Sequence, residues 1–486
     1  MQLKLKLVAI LQIGWMGTLL PCVAQQPQEM PGMQHEHGAM TPARPVYPRL
    51  GRAQENPQSP LFTLGEAQRL AAASNPTLRQ AEVEIRAAKA RQQQSGLYPN
   101  PSLGYLGDEI RGGSIHGGKQ GFFLQQTVVT GGKSTKVREV FAKETNLAET
   151  EAEEQKLRVE TAVKTAYLRV LAAQELLDAR RDLANVEQQL ADTQRLLFNT
   201  GQADESEVLT AELQAQRLRL SARMQENSLR EEWRSLAATL GRPDLPPATV
   251  AGDLEQDWPQ LNEEQIADHI ATQSPATRLA DTATSRAEAA LVSARRASIP
   301  DLELRGGLEY NNELLANVPH AIGWEGLAEV SVPLPIFNRN QGNVAAAVAD
   351  LDRAQLERER IALTLRERAA SVVDQYASAK LMALEYREEI LPRARKVYTL
   401  MFEKNAQMLA SRPRVLDSER QLYELQAEYI AALESVWTTG IALEGFLLTD
   451  GLEAPARPGE VDRPVREINV PVPDRTLSPI YGMPRP

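Results

Sequence analysis

The sequence predicts a mainly α-helical chain carrying four short strands suited to a membrane β-barrel, arranged as two structural repeats. Three observations predict it. The chain repeats itself: Asn75-Pro76 and Asn100-Pro101 return as Ser274-Pro275 and Pro300-Asp301, both prolines displaced by 199 positions, and Leu209, Glu212 and Leu218 return as Leu416, Glu419 and Leu425 at an offset of 207. After each Pro-marked boundary come two alternating apolar and polar stretches joined by a loop. Very long polar helical patterns then follow. Copies of ~200 residues exceed any solenoid unit, so they read as one half-structure made twice.

Composition agrees. Ala, Leu, Gln, Glu and Arg dominate, only 5% of residues are aromatic, and mean hydropathy is −0.37; this is the profile of long helices and coiled coils. The net charge of −10, with no basic block, argues against a nucleic-acid partner.

Residues 1–24 read as a signal peptide. Lys4 and Lys6 precede an apolar stretch from Leu7 to Leu20, and Cys22-Val23-Ala24 offers cleavage before Gln25. Cys22 is the only cysteine, so disulfides and thiol chemistry are excluded from the mature chain, and Cys22 itself is a possible lipidation site. Residues 25–60 form an extended Met/His/Pro-rich leader. The first repeat spans 61–245. In it Thr63 and Glu66 make a capping box for a short helix. Asn75-Pro76 opens a second helix, and Tyr98-Pro99-Asn100-Pro101 stops it.

Strands are expected at about 101–110 and 119–129. A helix without Pro or Gly then runs to about Phe198, ~100 Å at 1.5 Å per residue. On it Val163, Ala166, Val170, Ala173 and Leu177 space as a coiled-coil seam. Gly201 caps it, and a return helix covers about 204–240. The second repeat spans 258–450, with strands at about 301–311 and 322–335. Its long helix covers about 343–405, with a kink expected at Pro392, and a return helix covers about 414–448. A Pro-rich tail covers 451–486. In the second strand pair Leu302, Leu304, Leu308 and Tyr310 share a face opposite Glu303, Arg305 and Glu309. Ile322, Trp324, Ala328, Val330, Val332 and Leu334 likewise share a face opposite Glu325, Glu329 and Ser331. Strands of ~10 residues can cross a bilayer when tilted. Four cannot close a barrel, and open edges are costly in lipid. If they span a membrane, several chains share one barrel.

Over about residues 60–450 the chain resembles TolC-type outer membrane efflux proteins. The stretch Val332-Pro333-Leu334-Pro335-Ile336-Phe337-Asn338-Arg339-Asn340-Gln341-Gly342 is similar to the strand-to-helix crossing of their heavy-metal cation efflux branch, the CzcC- and CusC-like proteins. The resemblance implies a TolC-like fold. A homotrimer would form a 12-stranded β-barrel in the bacterial outer membrane, in contact with its lipid. A long α-helical tunnel, most of each chain, would lie in the periplasm. It also implies two partners, a periplasmic adaptor (membrane fusion protein) and an inner-membrane RND pump. No cofactor and no catalytic residue is implied. The cargo would be heavy-metal cations, with copper or silver ahead of cobalt, zinc or cadmium if the Met- and His-rich residues 30–40 bind metal. Two other readings stay open: a periplasmic coiled-coil scaffold without a pore, and an efflux channel for organic compounds.

The resemblance places adaptor contacts at the periplasmic tip, on Leu197, Phe198, Asn199, Thr200, Gly201 and Asp204, and in the second repeat on Phe402, Asn405 and Arg414. Asp204, Glu205, Glu207 and Asp417 are candidates for an acidic entrance ring, or for ordinary helix starts where acids suit the dipole. Met30, Met33, His35, His37 and Met40 are a candidate metal-binding group, since thioether and imidazole suit soft cations. His116, His269 and His320 are isolated. Thr130-Gly131-Gly132-Lys133-Ser134 echoes a phosphate loop but has Thr127 where the first glycine belongs.

Overall fold

Capping within a short helical pair sets the frame of both repeats. In the computed structural model, which describes residues 61–109, 118–314 and 320–455, Thr63 and Glu66 form the capping box of α1 (Leu64–Ser74). Asn75 caps α2 (Pro76–Ser95), its Oδ1 accepting from Thr77 N at 2.9 Å. In the second repeat α5 (Ile266–Gln273) has no side-chain N-cap, but α6 (Pro275–Arg296) is capped as α2 is, Ser274 Oγ accepting from Thr277 N at 3.1 Å. Proline opens α2 and α6, where its missing N–H costs nothing.

The strands are β1 (Ser102–Asp108), β2 (Lys119–Val128), β3 (Leu302–Leu314) and β4 (Ala321–Ser331). They form one antiparallel sheet in the order β1-β2-β3-β4, so β1 and β4 are its open edges. β3 runs three residues past its expected end, with a register irregularity between Asn311 and Leu314. β4 stops at Ser331, four residues short of the expected 335. Pro333 and Pro335 lack the N–H a ladder needs, and Val332, Leu334 and Phe337 lie exposed.

The crossings into the long helices are also paired. Gly132, at φ 69°, precedes α3 (Lys133–Asn199), and Asn340, at φ 60°, precedes α7 (Gln341–Glu385). The first crossing is tied to the other repeat: Asp301 Oδ1 accepts from Thr130 N at 2.9 Å and meets Lys133 Nζ at 2.6 Å. The Thr-Gly-Gly-Lys stretch is therefore a strand-to-helix corner whose lysine is already paired.

α3 is 67 residues long, and its expected seam residues Val163, Ala166, Val170, Ala173 and Leu177 are all buried. It lies against α2, α4 (Glu205–Thr239), α6 and α9 (Arg412–Glu444). The other long column is interrupted. Between α7 and α8 (Leu391–Ala406) a π-helical turn spans Tyr386–Ile390. Pro392 has no N–H, and its ring clashes with the carbonyl four residues back. The wider turn absorbs that clash, so the expected kink takes the form of a π-turn.

The core gathers midway along the helices. Phe62 and Val250 form an isolated parallel bridge, and Tyr167 Oη donates to Phe62 O at 2.8 Å. Gln174 brackets Val250, accepting from its N at 2.9 Å and donating to its O at 3.3 Å. From the second repeat Trp437 Nε1 donates to Leu254 O at 2.9 Å. The loop after α4 thus fastens both halves together around buried Leu236, Leu254, Tyr429 and Leu433.

Candidate functional site: sheet faces and helical tips

The sheet inverts the pattern of a soluble protein. Its most exposed residues are apolar. Tyr105, Phe122 and Leu308 sit side by side on one face, as do Leu103, Leu124 and Ala328 in the next row. Tyr310 and Trp324, 73% of the latter exposed, pair edge to face at 5.5 Å near the loop end. Tyr105 and Phe122 do the same at 5.7 Å. A continuous apolar band with aromatic residues toward its rim is the lipid-facing pattern of a membrane barrel.

The opposite face is polar. It carries Glu303, Arg305, Glu309, Lys119, Glu325 and Glu329, in cross-strand register. Lys119 Nζ lies 3.3 Å from Glu325, and Arg305 lies 3.6 Å from Glu329.

At the far end of the helices lie two turns. α3 ends in a Schellman-type cap: Gly201, at φ 72°, donates to Phe198 O at 2.9 Å, and Gln202 N donates to Leu197 O at 2.8 Å. The second turn has the same geometry without glycine. Met408 takes φ 57° and donates to Asn405 O at 2.9 Å, and Leu409 N donates to Lys404 O at 2.7 Å. Met408 stands 207 positions after Gly201, and α9 begins 207 positions after α4.

This register corrects the expected second tip. The counterpart of Phe198 is Asn405, not Phe402. Phe402 is half-buried within α8, packed on the main core, and Arg414 lies inside α9. The tip surface instead exposes Leu196, Phe198, Met408 and Leu409, with Met408 95% exposed. A left-handed non-glycine residue costs about 1–2 kcal/mol. The offset of 207 applied to Gly201 was the signal that locates it. Leu197 is half-buried, Asn199, Thr200 and Gly201 are exposed, and Asn405 Nδ2 donates to Ala410 O at 2.9 Å.

Of the acidic candidates, Asp204, Glu205 and Glu207 stand at the start of α4, and Asp417 lies in the second turn of α9. Asp204 N donates to Glu207 Oε2 at 3.4 Å, and Ser206 Oγ bonds Asp204 Oδ2 at 3.2 Å. Asp417 accepts from Arg420 at 2.6 Å, and Glu205 is exposed in the first turn of α4. Arg420 also faces buried Glu187 and Glu424, tying α9 to α3. Among the described residues no group of three or more His, Cys, Asp or Glu is placed to hold a metal ion. His269 rests on Phe446 at 5.7 Å, and His320 is exposed. Cys22, Met30, Met33, His35, His37, Met40 and His116 lie outside the described residues.

A cleft of about 660 Å³ beside the π-turn is lined by Glu255, Asp257, Trp258, Lys380 and Arg387. Arg387 sits 4.8 Å over the Trp258 ring. Its charges are mixed and no nucleophile or acid–base pair is assembled there.

No helix among the described residues is long and apolar enough to cross a membrane. Residues 267–447 match the family model of the outer membrane efflux proteins. The second repeat thus carries an outer membrane efflux protein domain. The cobalt-zinc-cadmium resistance protein CzcC of Cupriavidus metallidurans is 25% identical over 412 residues, covering 83% of this chain and 92% of that protein. The solved channel CusC superposes with a TM-score of 0.64 at 18% identity, over 83% of this chain and 95% of that one. VceC of Vibrio cholerae gives a TM-score of 0.60 at 17% identity, over 80% and 97%. The fold is TolC-like.

One half-buried acid outside the sheet is expected to give the chain a measurable pH dependence. Burial pushes Glu175 up to about 8, helped by Asp253, Glu255 and Asp178 nearby. An acid raised in the folded state stabilises the fold below its unfolded value and loses that contribution as pH rises through the folded one. Stability is therefore expected to fall between about pH 4.5 and 8. Glu175→Gln should flatten that slope, gaining about 1–2 kcal/mol at pH 8 after allowance for solvent screening. Thermal unfolding of both proteins at pH 5 and 8 checks it.

Proposed function

We propose that the chain is the outer membrane component of a three-part efflux system, a homotrimer passing heavy-metal cations from periplasm or cytoplasm to the exterior. A periplasmic adaptor docks at its helical tips, and an inner-membrane RND pump supplies the energy. The observation that carries this reading is the sheet with its apolar outer face and two unpaired edges. In lipid, β1 and β4 need neighbours, and three chains give twelve strands, enough to enclose an aqueous passage. The flanking helices support it: α4 exposes Leu209, Leu213, Leu220 and Met224, and α7 exposes Leu356 and Leu363. These stripes suit packing against further copies.

The metal class rests on likeness to CzcC, whose name assigns it to cobalt, zinc and cadmium resistance, and on the crossing that ends at Gly342. The Met- and His-rich residues 30–40 favour copper or silver. Deleting the gene and measuring growth on copper, silver, cobalt, zinc and cadmium ranks them. Unchanged tolerance to all five removes the heavy-metal reading.

Docking at the tips is tested separately. Met408→Glu with Leu409→Glu places charge where the second turn is most apolar. Loss of a central apolar anchor typically costs about 2 kcal/mol or more of binding. Metal tolerance is expected to fall to that of the deletion strain while an unboiled gel still shows the trimer. Full tolerance in that variant places the adaptor elsewhere.

A further inference from the structure

On the polar face of the sheet one arginine is held in an unusual way. The Phe123 ring lies flat along the sheet because its cross-strand neighbours are Gly104 and Gly307. A Cβ at Gly104 would fall 2.3 Å from that ring. The Arg305 guanidinium sits 3.8 Å above the Phe123 centroid and 3.6 Å from Glu329. A stacked, ion-paired guanidinium cannot swing freely.

Its surroundings are acidic. Asp108, Glu303, Glu309, Glu325 and Glu329 share this face with two cations, Lys119 and Arg305. Lys119 reaches Glu325 and Glu309 in one row, and Arg305 reaches Glu329 two rows away. The two cations therefore divide the acidic wall into short stretches. A passage must attract its cargo yet release it. An uninterrupted wall of carboxylates would hold a divalent cation rather than pass it.

We infer that Arg305, pinned by Phe123 and Glu329, sets the electrostatic selectivity of the barrel lumen, keeping it attractive to cations without letting its carboxylates capture them. This rests on the cation-export reading for the identity of the cargo, but its test needs neither metal nor pump.

The chain's only cysteine is Cys22, so an introduced thiol can serve as a reporter above that background. Gln125 is the cross-strand partner of Arg305 on the same face, and Leu124 points the other way. In full-length protein in vesicles, the rates of Gln125→Cys with a trimethylammonium and a sulfonate methanethiosulfonate reagent report the local potential. The cationic reagent is expected to react faster. Adding Arg305→Gln should raise the cationic-to-anionic ratio about threefold or more, since one charge is lost within a screening length. Glu329→Gln should lower the ratio, and Arg305→Lys, which keeps the charge, should leave it near the parent value. An unboiled gel confirms assembly of each variant. The inference fails if Arg305→Gln and Glu329→Gln both leave the ratio unchanged, or if Leu124→Cys reacts as fast as Gln125→Cys. Unchanged metal tolerance on gene deletion would instead sink the cargo assignment and leave this result standing.

Discussion

Leu308→Arg is expected to abolish the folded trimer in the outer membrane. Leu308 lies midway along β3, between Phe122 of β2 and Gly326 of β4, on the exposed apolar face. An arginine on a lipid face near the midplane costs about 2–4 kcal/mol, and the proposed trimer would apply it three times. Its neighbours offer no carboxylate, because period two sends Glu309 and Glu325 to the other face. Glu309→Gln, one residue along, keeps the lumen polar and should assemble normally. Membrane fractionation followed by an unboiled gel separates the two outcomes. A normal trimer from Leu308→Arg would mean that this face does not meet lipid.

Leu416→Ala is expected to destabilise the helical end of the molecule by about 3 kcal/mol, and its repeat partner Leu209→Ala by almost nothing within one chain. The two leucines stand at the same place in the two copies. Yet Leu416 is 0% exposed, packed with Leu183, Val186 and Tyr423, while Leu209 is 58% exposed. The reason is the position of the helices. α9 is an inner column lying against both α3 and α7, whereas α4 lies against α3 alone at the edge of the wall. Truncating Leu416 opens a cavity that the rigid helices around it cannot close. Truncating Leu209 removes a contact available only to another chain. Thermal unfolding of each variant in detergent measures the first effect, and dilution-dependent loss of the trimer measures the second. Equal losses of stability in one chain would show that the repeats are equivalent after all.

Much of the architecture was legible in the residues. Thr63 with Glu66, Asn75-Pro76 and Ser274-Pro275 place helix starts by local capping chemistry alone. The seam from Val163 to Leu177 follows from helical periodicity, and the alternation of Leu308 with Glu309 identifies a strand with two unlike faces. The tips were read less well. Phe402 was an attractive contact because it is aromatic and near a turn, but it is half-buried on the core. Met408 was overlooked because methionine carries no turn preference. Its left-handed backbone is imposed by the cap that α8 and α9 need. The end of β4 at Ser331 was likewise written in Pro333 and Pro335, against an alternation that continues beyond them.

What the sequence determined by itself is the set of elements, their order and their duplication, because capping, periodicity and proline act over a few residues. Only the tertiary structure decided which copies of equivalent residues are inside. Burial depends on whether a helix has neighbours on one side or two. It also decided that the exposed face of the sheet is the apolar one. Alternation shows that two faces differ, but only the packed sheet, with Lys119, Arg305 and their carboxylates paired across strands on one side, shows which of them is left apolar and exposed.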